Sequence, residues 1–150
     1  MGRPNDRCGL EGFPNADPTR ADFSNESLNQ VDAMLIAADL SINRSLTDLN
    51  LMGNNLGPRG AAAVAHTLAG NMALVRLNLS QNDISAHGSD FSGVLELARA
   101  LFTNFTLVRA DLRGNYLKSD SVDANAARAK LNTAKENRER RRLKNLELLL

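Results

Sequence analysis

Tryptophan is absent from this chain of 150 residues, tyrosine occurs once and phenylalanine five times. This composition favours a core of leucine and alanine packed in aliphatic layers over an aromatic-centred globule. Cysteine occurs only at Cys8, so no internal disulfide can form, which points to a cytosolic or nuclear setting. Long apolar runs are missing too: nothing approaches the ~18–20 residues of a membrane span, and no basic segment followed by an apolar one opens the chain. On these absences a protein without a membrane anchor or signal peptide is expected, intracellular and either cytoplasmic or cytoskeletal. The only histidines, His66 and His87, have no partner at metal-ligand spacing, and neither a G-x-S-x-G elbow nor a Walker phosphate loop occurs. The sequence thus offers no metal site, no cofactor site and no catalytic constellation.

Net charge is only +1, but it is unevenly spread. Residues 1–50 are rich in Asp and Glu, whereas 128–150 carry a cluster of Lys and Arg. Length and a 43% hydrophobic content allow one domain with a modest core. Residues 1–21 hold three of the four prolines without apolar periodicity and are expected to form a flexible N-terminal arm.

What the chain does contain is a repeat. The segments starting at Leu46, Leu74 and Leu107 read LTDLNLMGNNL, LVRLNLSQNDI and LVRADLRGNYL, spaced by 28 and then 33 residues. Their shared form is L-x-x-L-x-L-x-x-N-x-L, broken only by Ala110. The similarity continues downstream, where Gly60, Val64, Leu68 and Asn71 match Gly93, Leu97, Leu101 and Asn104, offsets that put one apolar stripe on a helix. Upstream, Phe23, Leu28, Ile36, Leu40 and Asn43 fall in the same frame, with Glu26 at the ladder position. This first repeat is degenerate, as terminal capping repeats are.

This pattern resembles the ribonuclease-inhibitor-like subclass of leucine-rich-repeat proteins. The resemblance covers about Asp22 to Asn132 and implies an α/β solenoid of about three and a half repeats, parallel strands on the concave face and helices on the convex face. A long C-terminal helix follows, with 133–150 as its basic extension. Alternation sends Leu49, Leu51, Leu77, Leu79, Ala110 and Leu112 into the core. Asn54, Asn82 and Asn115 become a structural ladder whose amides satisfy backbone groups at the bend. The concave face then presents Asp48, Arg76 and Arg109, next Asn50, Asn78 and Asp111, then Met52, Ser80 and Arg113. Arg76 and Arg109, lateral neighbours at about 5 Å, favour an acidic partner unless Asp111 and solvent neutralise them.

Five inserted residues fall in the loop before Gly93, where Phe91 either forms an exposed contact or folds back as a plug. From Ala126 onwards, good helix formers without Gly or Pro predict one helix whose segment Arg138–Arg142 lies outside the core. Its end, apolar at Leu143, Leu146 and Leu150, needs cover from a partner or from the last repeat. The expected function is protein binding through the concave residues Asp48, Asn50, Met52, Arg76, Asn78, Arg109, Asp111 and Arg113, with Phe91, Leu146 and Leu150. The partner is another protein, within a larger assembly. Two alternatives remain. The basic helix, through Arg138, Arg140, Arg141 and Arg142, would contact nucleic acid or a ribonucleoprotein. Resemblance to Ran GTPase activators, which share this repeat class, would make Arg59 in NNLGPRG a loop arginine acting on a nucleotide. In architecture the array is also similar to the C-terminal domain of tropomodulins, which caps actin filaments.

Overall fold

A computed structural model describes residues 17–118, 120–140 and 146–150. Most of the expected arm, with Cys8, lies outside the described residues, as do Arg141, Arg142 and Leu143. Strands and helices alternate: β1 (Arg20–Asp22), α1 (Gln30–Ile42), β2 (Asp48–Asn50), α2 (Gly57–Leu68), β3 (Arg76–Asn78), α3 (Ser92–Thr103), β4 (Arg109–Asp111), α4 (Val122–Arg140) and β5 (Glu147–Leu149). All four strand pairings are parallel, and the sheet order follows chain order. Register reproduces the sequence spacing, with Asp48 beside Arg76 and Arg76 beside Arg109.

Between sheet and helices lies one aliphatic core. Leu49, Leu77 and Ala110 enter it from the strand centres, and Leu51, Leu79 and Leu112 follow two residues later, all at most 2% exposed. The helices answer with Val64 and Leu68 from α2 and Leu97 and Leu101 from α3. Packing is close because small residues stand where helices cross. A Cβ added at Gly93 would lie 2.4 Å from the Pro58 carbonyl oxygen, so α3 can approach the start of α2 only with glycine there.

Two polar ladders close the corners where the chain turns between layers. At the first, the Asn54 amide donates to the carbonyls of Phe23 and Leu51 and accepts from the Glu26 and Leu28 N–H groups. Asn82 donates to Leu51 and Ser80, and Asn115 to Leu79 and Leu112, while Asn115 accepts from Asn82 and Ile84. Each amide thereby joins its own turn to the preceding repeat, supplying partners for backbone groups shut off from water.

The second ladder sits at the helix-to-strand corner. Asn71 donates to the Leu40 and Asn43 carbonyls, and Asn104 to those of Leu68 and Asn71. The third rung is Arg138, whose guanidinium donates to the carbonyls of Asn104 and Phe105. Arg138 is fully buried, with Ala127, Leu131 and Ala134 of α4 on the core side beside it. The expectation that Arg138 stays outside the core is therefore corrected. Its side chain is long enough to reach the Asn104 carbonyl, the counterpart of the Asn43 and Asn71 carbonyls that asparagine serves in earlier repeats, and its methylene stem fills apolar space on the way.

Both ends of the expected domain layout also change. β1 starts at Arg20 and Ala21 is buried, so the solenoid begins inside the segment assigned to the arm. At the other end α4 starts at Val122, earlier than Ala126, and 146–150 is not helical: β5 pairs with β4, placing Glu147 beside Arg109 and Leu148 beside Ala110. A short leucine-rich run satisfies either period, and the open edge of β4 selects the strand.

Candidate functional site

The sheet face turned away from the helices carries three transverse rows. Register builds the first from Arg20, Asp48, Arg76, Arg109 and Glu147, and the second from Asp22, Asn50, Asn78, Asp111 and Leu149. Ser24, Met52, Ser80 and Arg113 follow two residues further along. Alternation along each strand is what separates these residues from the buried set.

Charges on this face are laid out as local pairs. Arg76 binds Asp48 of the neighbouring strand, Arg109 lies 3.5 Å from Glu147, and Arg113 meets Asp111 at 2.6 Å within its own turn. Asp111 is nearly buried; that burial raises its pKa, but the Arg113 hydrogen bonds and the charges of Arg113 and Arg109 outweigh it and hold the carboxyl below its ordinary value. Asp48 follows the same logic, with burial opposed by hydrogen bonds from Arg76 and Thr47. The adjacent arginines Arg76 and Arg109 therefore turn away from each other, towards Asp48 and Glu147, while Asp111 is engaged mainly by Arg113.

Around these charges the amides are held by short local bonds. Asn50 donates to Asp22 at 3.0 Å and accepts from the Met52 N–H, and Asn78 accepts from both the N–H and hydroxyl of Ser80. The arginine side chains remain about half exposed. Of these pairs only Arg109–Glu147 is exposed on both sides, and such a pair contributes about 0–1 kcal/mol, so a partner's carboxylate can replace Glu147 at little cost, while the largely buried Asp48 and Asp111 keep their arginines.

Two residues expected at the binding surface are removed from it. Phe91 is 5% exposed, packed in the core at the N-terminal end of α3, so the exposed contact is corrected to the plug. The inserted loop leading to it turns through a 3₁₀ segment at Ala86–Gly88, where His87 stacks near Tyr116 with ring centroids 5.0 Å apart. Leu146 is 1% exposed and belongs to the core; Leu150 is partly buried against it. No helical leucine stripe forms from these two, because the chain there is strand.

Five residues of the face, Arg20, Asp22, Ser24, Glu147 and Leu149, were not recognised in the sequence. Arg20 and Asp22 had a legible signal, since Arg20-Ala21-Asp22 repeats Arg109-Ala110-Asp111. Glu147 and Leu149 were hidden in an apolar run that suited a helix. Of the basic helix, Arg138 is buried whereas Arg140 is exposed, 3.9 Å from Glu136. Arg59 is an exposed residue in the first turn of α2. Among the described residues, no group of three His, Cys, Asp or Glu side chains gathers as metal ligands, and no helix is long and apolar enough to cross a membrane.

Strand, asparagine turn and helix repeated in one parallel sheet form a leucine-rich-repeat architecture, and a family model described as a leucine-rich repeat matches residues 43–65. Among solved structures, the chain is similar to the tropomodulin C-terminal domain from Caenorhabditis elegans, with a TM-score of 0.59 and 19% identity, covering 79% of this chain. It spans 65% of that domain's length. It is also similar to leiomodin-1 actin-binding site 2, with a TM-score of 0.56 and 17% identity over 85% of this chain and 87% of that one. No curated protein matches the chain in sequence.

Proposed function

We propose that this protein is a non-catalytic protein-binding module whose outer sheet face engages an extended surface of its partner, and that the partner is actin. The observation that carries the proposal is the continuous five-strand polar face, Arg20 to Glu147 in one row, whose half-exposed arginines offer donors to a partner's groups. Likeness to a structure named as an actin-binding site of leiomodin-1, over most of both chains, supports the choice of actin. A cytoskeletal location follows from the same choice.

Co-sedimentation with actin filaments and the polymerisation kinetics of labelled actin monomers test this directly. The wild-type chain is expected to bind one form, and Arg76→Glu with Arg109→Glu to raise the dissociation constant by about tenfold or more, while helical circular dichroism is unchanged. Absence of binding to filaments and monomers refutes the choice of actin. Binding that the double variant leaves intact refutes the sheet face. Binding of RNA, steeply weakened by salt and lost in Arg140→Ala, would instead favour the basic end of α4.

A further inference from the structure

Helix α1 is apolar on two opposite sides. Ala33, Ala37 and Leu40 face the core, while Val31, Leu35 and Ile42 are 56%, 67% and 77% exposed. With exposed Ala38 between them, the outer residues fall at i, i+4, i+7 and i+11, the spacing by which one helix presents a seam to another. Beside the stripe lies an open groove of about 180 Å³, lined by Phe23, Ile36, Leu40, Leu46 and Leu49. The opposite end of the array is built differently: α4 turns Asp123, Asn125, Lys130, Asn132, Glu136 and Glu139 to solvent. Terminal repeats need such a polar outer face, and α1 lacks one.

Its charges are of one sign. The charged residues within α1 are Asp32 and Asp39, both acidic, and Arg44 follows two residues beyond the helix end. Asp32 caps the helix through the Asn29 N–H, and Asp39 lines the groove itself. Two copies meeting on this face would set these carboxylates against one another, whereas a helix with basic flanks would pair with them.

We propose that the outer stripe of α1 and its groove form a second docking site, occupied by an amphipathic helix of a partner protein whose apolar seam is flanked by lysine and arginine. That helix lies along the outer side of α1, where the matching positions of α2 and α3, Arg59, Ala63 and His66, then Ser92, Glu96 and Arg99, are small or polar and at least partly exposed. Its seam covers Val31, Leu35, Ala38 and Ile42, and its cations reach Asp32 and Asp39. The site is on the end of the solenoid, separate from the sheet face.

The probe is a fluorescein-labelled synthetic helix of about 18 residues with leucines at the 4-3-4 spacing and lysine and arginine on both flanks. A second peptide keeps the leucines and carries glutamate instead. Anisotropy titrations with the full chain are expected to show the basic peptide binding about tenfold or more tightly than the acidic one. Leu35→Ser with Ile42→Ser, at exposed positions that leave the fold intact, should abolish binding, and Asp39→Lys should weaken the basic peptide selectively. Equal binding of both peptides, binding of neither, or indifference to Leu35→Ser with Ile42→Ser overturns the proposal. So does a dimer in sedimentation equilibrium that the same double substitution dissociates, since the occupant is then a second copy. Tighter peptide binding after Leu10→Ser with Phe13→Ser would overturn it in favour of the chain's own N-terminal residues.

Discussion

Replacing Arg138 by alanine removes the last rung of the second ladder, and the structure supplies the terms of the cost. The Asn104 carbonyl, in a residue 1% exposed, loses its charged donor, and an unsatisfied buried acceptor costs about 1–3 kcal/mol. The Phe105 carbonyl is in a half-exposed residue, where water can take over, and adds little. Three methylene groups of a fully buried side chain contribute about 0.8 kcal/mol each. Against this, burial disfavours the guanidinium charge and lowers its pKa, so part of the loss is recovered when the cation is removed. The net expectation is a destabilisation of about 3 kcal/mol, which for a chain of this size lowers Tm by roughly 6–12 °C. Arg138→Met restores most of the stem and should lose about half as much. Arg140→Ala, two residues further along the same basic stretch but exposed, should stay within about 0.5 kcal/mol of wild type. Urea unfolding followed by circular dichroism measures all three at once. If Arg138→Ala and Arg140→Ala prove equally mild, Arg138 is a surface residue and its place in the ladder is wrong.

Gly93→Ala should destabilise by about 1–3 kcal/mol, because its Cβ would meet backbone of Pro58 and push α3 from α2. Gly70→Ala, where an added Cβ meets nothing within 4 Å, is the matched control in the same thermal melt. Asp111 gives a pH-dependent outcome. Its folded pKa lies below the unfolded carboxylate value, so its pairing stabilises the protein above about pH 4 and that contribution is lost as pH falls through the folded value. Acid titration of stability should therefore fall more steeply for wild type than for Asp111→Asn below about pH 4, and parallel curves would contradict the pairing.

The middle of this protein was legible because its sequence states the same rule twice. Leu49 and Leu77, Leu51 and Leu79, and the three asparagines at 54, 82 and 115 keep the same places within each repeat, and a pattern that serves both strand and turn leaves little freedom for another fold. From it follow the rows of the outer face from β2 to β4 and the lateral meeting of Arg76 with Arg109. The ends obeyed no such rule. Ala21 stands where the pattern wants leucine, and the terminal leucines satisfy strand and helix periods equally, so only the unpaired edge of β4 could decide that Leu146–Leu150 joins the sheet. Tertiary contact likewise decided Arg138, since a basic residue among other basic residues reads as a solvated surface. Its burial depends on two carbonyls about 34 residues earlier, which reach it only once α4 has docked on α3. Sequence alone determined the repeat and its ladder of asparagines; the capping of that repeat, strand at one corner and arginine at the other, was settled by which backbone groups remained unpaired when the layers came together.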